Sequence, residues 1–303
     1  MGAVAYVNGS YRALRDATVN VEDRGYQFGD GIYEVVFVHQ GRLIDAERHL
    51  SRLARSLERI GLTLDRTPQA WRIIIAEVLR RNRITTGLVY IQVTRGVAPR
   101  DHAFPVNARP AVVITARHKP APPRDLDAWA VAAICLPDDR WAHCDIKSIN
   151  LLPNVLAKQK ARAAGAFEAI LYDADGMVTE GASSSVWIVD AAGRLTTRPF
   201  DRQVLPGCTR AALSEALGTE LREAAFSLDE LRAAREVFIT SATSFVKPVV
   251  RLDGAMVGDG KAGPVARRLM GIYWEGKGRE GKGSASFLKK RSKKLLLLWA
   301  RGL

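Results

Sequence analysis

The segment KPAPPRD, residues 119–125, carries three prolines in seven positions. Proline lacks the N–H that a helix or sheet ladder needs and pushes the residue before it into extended geometry. Regular structure stops there, so each half of the chain must find its own elements and bury its own apolar face. The 303 residues suffice for one large or two modest domains. The expected layout is a smaller N-terminal α+β domain over 1–118, the linker at 119–125, and a larger α+β domain over 126–275. A site is expected in the cleft between them.

Hydrophobic spacing supplies the elements. Residues 34–38 read as a strand, turning at His39-Gln40-Gly41 into a return at 42–44. Leu50, Leu53, Leu57 and Ile60 recur at intervals of three and four, predicting a helix over 46–60. Trp71, Ile74, Ile75, Val78 and Leu79 predict another over 68–82, and 88–94 and 111–116 are β-rich. Beyond the linker, strands are expected at 129–135, 167–172, 184–189, 237–240 and 249–252. Helices are expected over 151–164, from about Thr209, over 228–234 and over 263–274. In the first of these, Leu151, Leu152, Val155 and Leu156 are the apolar positions, leaving Lys158 and Lys160 to solvent. No internal repeat is visible.

Apolar residues at 47% and charged residues at 25% fit a soluble globular protein. No apolar run approaches the roughly 20 residues that cross a bilayer, and no signal peptide is expected. The cysteines, Cys135, Cys144 and Cys208, are odd in number and lack CxxC spacing, so neither a disulfide framework nor a metal site is expected. His49, at the start of a helix, reads as support for Arg52. A reducing cytoplasm is the expected location. The net charge of +13 is uneven: residues 276–303 hold nine Lys or Arg against one Glu, leaving +5 for the rest. That basic tail, 276–303, reads as an appended, poorly ordered terminus, and neither nucleic acid nor a membrane is expected as a partner.

Chemistry is carried by a few segments. Lys147, in CDIKS, sits between a strand and a helix; alone it reads as a loop-surface lysine, with a cleft amine as the other reading. Glu180 precedes Gly181 and a run of small polar residues. The Pro-Gly turn of VLPGCTR opens a helix at Thr209, whose free N–H groups favour an anion. The loop around Thr243 adds hydroxyls, and Arg52 supplies a permanent cation. Together they would suit a phosphorylated aldehyde cofactor captured by an amine.

The segments EDRGYQFGDGIYEVV (22–36), VTRGVAPRDHAFP (93–105), CDIKSINLLPNVLAKQ (144–159) and TEGASSSV (179–186) closely resemble the fold type IV pyridoxal-phosphate transaminases, specifically the D-amino-acid aminotransferases. The resemblance runs in order from about Val7 to Tyr273 and fails after Trp274. It implies a two-domain α+β fold and pyridoxal 5′-phosphate as cofactor. Lys147 would hold the cofactor as an imine and then shuttle the substrate proton. Glu180 would face the pyridine nitrogen and keep it protonated. Arg52, Thr209, Thr243 and Ser183 would be cofactor-binding, and Leu205, otherwise a plain core residue, would pack on the ring.

Substrate choice separates this family from branched-chain and (R)-amine transaminases and from aminodeoxychorismate lyases of the same fold. The resemblance assigns Tyr33, Arg100 and His102 to the substrate α-carboxylate, Arg100 suiting it through bidentate pairing. PRDH would otherwise be an ordinary surface loop. By the same resemblance Arg100 and His102 reach into a neighbouring subunit, implying a homodimer. The expected reaction passes an amino group from a donor such as D-alanine to 2-oxoglutarate, giving pyruvate and D-glutamate.

Overall fold

The protein is described by a computed structural model covering residues 3–107 and 109–279. Six strands build an antiparallel first sheet: β1 (Val4–Val7), β2 (Ser10–Ala13), β3 (Gly31–His39), β4 (Arg42–Leu43), β5 (Gly87–Thr94) and β6 (Ala111–His118), in the order β2-β1-β6-β5-β3-β4. The hairpin β1–β2 had no counterpart in the sequence reading, because VAYV and SYRA are four residues each and too short to show a period. A one-turn helix α1 (Arg24–Phe28) ends at Gly29, whose φ of 68° lies in the left-handed region. A Cβ there would meet the Asn150 side chain at 2.1 Å, so the turn admits only glycine.

Helices α2 (Ala46–Arg59) and α3 (Pro68–Asn82) belong to this first half. Thr67 caps α3 by accepting from Ala70 N, with Pro68 at the first helical position. Leu50, Leu53 and Leu57 of α2 and Trp71, Ile75 and Val78 of α3 share one core with Ile32, Val38 and Ile91 of the sheet. Each fully buried aliphatic side chain there contributes about 1.5–3 kcal/mol.

Residues 119–125 form neither helix nor strand. After them come β7 (Val131–Pro137), α4 (Leu152–Ala163), β8 (Glu168–Tyr172), β9 (Val178–Gly181), β10 (Ser185–Val189), β11 (Leu195–Thr197), α5 (Cys208–Leu217), β12 (Leu221–Glu223), α6 (Leu228–Arg232), β13 (Glu236–Ser241), β14 (Phe245–Leu252), β15 (Ala255–Met256) and α7 (Pro264–Arg279). The second sheet runs β12-β11-β10-β13-β14-β7-β8-β9, with β15 paired to β14. β7 is parallel to its neighbour β8. Parallel neighbours need a crossover connection, and α4 with the loop before it, which contains Lys147, is that crossover.

One core cluster joins the two halves: Phe37, Ile44 and Leu88 pack with Phe245, Leu269, Met270 and Tyr273. Helix α7 runs past Trp274 to Arg279, so residues 276–279 of the expected tail continue the helix. The expectation for 280–303 falls outside the described residues.

The apolar face expected for α4 is not the face it buries. Ala157 and Ala161 are buried and pack with Ala169 and Leu171 of β8, because small side chains let the helix approach the sheet. Leu152, Val155 and Leu156 are left 67%, 57% and 50% exposed. Lys158 is only partly solvated: its Nζ lies 3.1 Å from the buried Glu168 carboxylate and over the Phe167 ring.

Candidate active site

Strand alternation places Ile32, Glu34, Val36 and Val38 on one face of β3, so the buried Glu34 points at α2. Helical spacing puts His49, Arg52 and Ser56 on the facing stripe. Arg52 grips Glu34 with two hydrogen bonds, Nε to Oε1 at 2.7 Å and Nη2 to Oε2 at 2.8 Å. His49 Nδ1 lies 2.7 Å from Glu34 Oε2, and Arg52 Nη1 donates to Pro206 O at 3.0 Å. Burial alone would raise the Glu34 pKa, but the Arg52 charge and hydrogen bonds, with His49, pull it down to about 2. Burial opposes the charge on His49, yet hydrogen bonds to Cys208 and Glu34 lift it to about 9. Arg52 thus borders the site as one member of a buried charged triad.

The Lys147 segment is fastened to the same strand and helix. Tyr33 N donates to Lys147 O at 3.0 Å, Ile149 N to Gly31 O at 3.1 Å, and Lys147 N to Ser56 Oγ at 3.3 Å. Lys147 Nζ sits 4.2 Å over the Tyr33 ring. This amine is half-buried and faces a cavity of about 220 Å³ between the two sheets, also bordered by Arg52, Glu180, Leu205, Thr209 and Thr243.

Glu180, on β9, is buried. Its Oε2 accepts from Leu205 N at 3.1 Å, and its Oε1 accepts from Arg140. Arg140 is clamped by Asp138, with Nε–Oδ1 at 2.8 Å and Nη2–Oδ2 at 2.7 Å, and Asp138 also accepts from Thr179 Oγ1. Burial raises the Glu180 pKa, while the Arg140 charge and hydrogen bond, the Leu205 N–H and the Lys147 charge hold it back.

At another wall, α5 begins at Cys208 behind Gly207 with no side-chain cap. Gly207, Cys208, Thr209 and Arg210, at this helix start with its unpaired first N–H groups, border the cavity. Thr209 Oγ1 lies 3.4 Å from Tyr273 OH, and Thr243 Oγ1 lies 3.3 Å from Ser241 Oγ. Ser183 borders the cavity too, but its hydroxyl donates to Glu168 at 2.9 Å.

Eight of the ten expected site residues therefore border one cavity: Tyr33, Arg52, Lys147, Glu180, Ser183, Leu205, Thr209 and Thr243. Arg100 and His102 do not. Both are exposed and pack against Phe28, at 4.7 and 5.4 Å between group centres. Glu34, Asp138 and Arg140 escaped the sequence reading. An acid in the apolar run IYEVVFV was the available signal for Glu34; Asp138 and Arg140 lie in a polar loop that gives none. No cluster of metal-ligating side chains exists among the described residues, and none of their helices is long and apolar enough to cross a membrane.

The donor set fits pyridoxal 5′-phosphate. An amine, a buried carboxylate and an uncapped helix N-terminus with hydroxyls face one space, matching an aldehyde, a pyridinium N–H and a phosphate respectively.

Residues 31–252 match the amino-transferase class IV family, and the chain belongs to it. It is a pyridoxal-phosphate-dependent aminotransferase with the two-sheet α+β architecture of fold type IV. Among its relatives, the D-alanine aminotransferase of Staphylococcus haemolyticus is 41% identical over 268 residues, spanning 87% of this chain and 94% of that one. The D-alanine aminotransferase of Listeria innocua is 41% identical over 274 residues, spanning 89% and 94%. Among solved structures, the branched-chain amino acid aminotransferase from Escherichia coli superposes with a TM-score of 0.81 at 26% identity, over 90% of this chain and 94% of that one.

Proposed function

We propose that this enzyme transfers amino groups between D-amino acids and 2-oxo acids, with D-alanine as donor and 2-oxoglutarate as acceptor, yielding pyruvate and D-glutamate. The relatives named D-alanine aminotransferases support the substrate class. The observation that carries the chemistry is Lys147, an amine tied by backbone bonds to β3 and facing the same cavity as the buried Glu180.

Bound pyridoxal 5′-phosphate supplies an aldehyde that exchanges with the substrate amine and a ring that takes up electrons as the Cα–H bond breaks. Lys147 Nζ holds the aldehyde carbon at rest and moves the proton from Cα once released. Glu180, kept in place by Arg140 and Leu205 N–H, accepts the ring N–H. Thr209, Thr243 and the first N–H groups of α5 would hold the phosphate, with the Arg52 cation beside them, and Leu205 would pack on the ring.

Tyr33, Arg100 and His102 bind the substrate α-carboxylate. Because Arg100 and His102 lie away from their own chain's cavity, a homodimer in which each subunit lends this pair to the other completes the site. Residues 1–118 and 126–275 act as two domains with the cofactor in the cleft between them, and the enzyme works in the cytoplasm.

The test is the chirality of the product formed from D-alanine and 2-oxoglutarate. D-glutamate is expected; turnover confined to L-leucine or L-isoleucine would replace this reading with a branched-chain enzyme.

A further inference from the structure

Arg24 and Arg95 are each 3% exposed, and both bring Nε to one oxygen of Asp30, Oδ2, at 2.8 and 2.7 Å. Two buried guanidiniums on a single carboxylate leave surplus positive charge, tolerated only when their other N–H groups find oxygen. They find backbone carbonyls, for Arg95 those just after α2 and for Arg24 those inside the loop that follows β5. Arg95 donates to Ile60 O at 2.7 Å and Gly61 O at 3.3 Å, and its guanidinium lies 3.6 Å over the Phe104 ring. Arg24 donates to Asp101 O and, at 3.3 Å, to His102 O.

The loop over residues 96–104 is thus held at its middle by Arg24 and at its end by Arg95. Its start is fixed as well. Arg24 N donates to Gly96 O at 2.9 Å, Asp23 bridges Val97, and Gly96 has φ 88° with no room for a Cβ beside Arg109 O. Phe28, closing α1, lies 4.7 Å from the guanidiniums of both Arg24 and Arg100 and 5.4 Å from the His102 ring. The side chains of Arg100 and His102 therefore stand exposed on a loop whose backbone is set from beneath by buried charge.

Ordering a flexible charged loop at the moment of binding costs affinity, and a loop already set avoids that cost. We propose that Arg24, oriented by Asp30, is a positioning residue for substrate recognition. It fixes the carbonyls of residues 101 and 102 so that Arg100 and His102 are preset for the substrate carboxylate. The inference rests on the reading of Arg100 and His102 as carboxylate-binding residues.

The test uses the holoenzyme with D-alanine. Arg24→Met keeps the apolar stem over Phe28 and removes the donors. It should raise KM about tenfold, the scale of a lost charge-assisted hydrogen bond, with kcat changed less than about twofold and cofactor affinity unchanged. Arg100→Met reports on the underlying reading: an unchanged KM there overturns that reading, and the inference with it. Placed on a variant that lacks both positioned side chains, Arg100→Met with His102→Ala, the Arg24→Met change should add less than about twofold, because it acts through the residues it positions. A KM raised in Arg100→Met but unchanged in Arg24→Met, or a full Arg24→Met effect persisting in the variant that lacks both side chains, overturns the positioning role and leaves the carboxylate reading standing. If Arg24→Met takes up no cofactor, the near-isosteric Asp30→Asn is read for the same split; a wild-type KM there overturns the proposal.

Discussion

Tyr273 donates a 2.5 Å hydrogen bond to Asp45, a residue 228 positions earlier in the chain. Asp45 stands at the N-terminus of α2, the helix that carries His49 and Arg52, with φ 52°. The same phenol oxygen lies 3.4 Å from Thr209 Oγ1. One hydroxyl thus links α7 to the start of α2 and to the N-terminal end of α5. Burial, then the Asp45 charge, raises the Tyr273 pKa well above its ordinary value, so it stays a donor at working pH. Tyr273→Phe keeps the ring against Phe245 and removes the donor. It should cost about 1.5–3 kcal/mol, the scale of a lost hydrogen bond to a charged group, in urea unfolding. Pyridoxal phosphate should bind the variant several-fold more weakly, while pyridoxal, which lacks the phosphate, should bind both forms alike. An equal loss for both would show that Tyr273 acts on stability alone.

The triad Glu34–His49–Arg52 makes stability depend on pH at both ends. Glu34 titrates near 2 in the folded protein against an ordinary 4.5, so its contribution is present above about 4.5 and is lost as pH falls through 2. His49 titrates near 9 against 6.5, so its contribution is present below about 6.5 and is lost as pH rises through 9. Both are complete between pH 4.5 and 6.5. Unfolding free energy measured at pH 6.5, 8 and 9.5 should fall more steeply in the wild type than in His49→Gln. Glu34→Gln should cost about 3–5 kcal/mol at neutral pH, because it leaves two buried cations without their carboxylate.

The element pattern was legible where periodicity is strong. Pro68–Asn82 forms a helix over the residues its apolar spacing indicates, and the strand of 34–38 is the core of β3. The α4 face was misread because burial there follows residue size rather than hydrophobicity: Ala157 and Ala161 fit against the sheet and leave Leu152 and Leu156 outside. Lys158 looked solvated because its partner Glu168 arrives from a strand ten residues on, outside any helical spacing rule. Lys147, Glu180, Arg52 and Thr209 were legible through whole motifs, since no single position distinguishes a cleft residue from a surface one. What supports them was not. Pairs such as Arg140 with Glu180, or Glu34 with Arg52, are created by tertiary packing between segments 40 and 18 residues apart, and local sequence carries no record of such a meeting.

Lys147→Ala removes the amine facing the cavity and leaves the backbone bonds to Tyr33 and Ser56 available. The variant should fold with an unchanged melting temperature in its cofactor-free form. It should lose the visible absorption of covalently held cofactor and about 10²–10⁴-fold in turnover, the scale of a missing general base. An enzyme that kept both would exclude Lys147 as the active amine.

Arg140 is the cation that lies against the buried Glu180 carboxylate. Burial pushes the Glu180 pKa up, and the charge and hydrogen bond of Arg140 are the largest effects opposing it. Arg140 also holds Asp138, whose pKa it lowers against burial. Arg140→Met therefore leaves two buried carboxylates facing each other's charge, and protonating one of them relieves it. On the role proposed for Glu180, the acid limb of the kcat profile reports its ionisation in the bound complex and should move to higher pH. Activity at pH 6 should then drop more than activity at pH 8. Arg140→Lys restores the charge without the two-pronged grip on Asp138, so its acid limb should fall between wild type and Arg140→Met. Identical acid limbs in all three proteins would show that Arg140 does not control the group whose ionisation limits turnover.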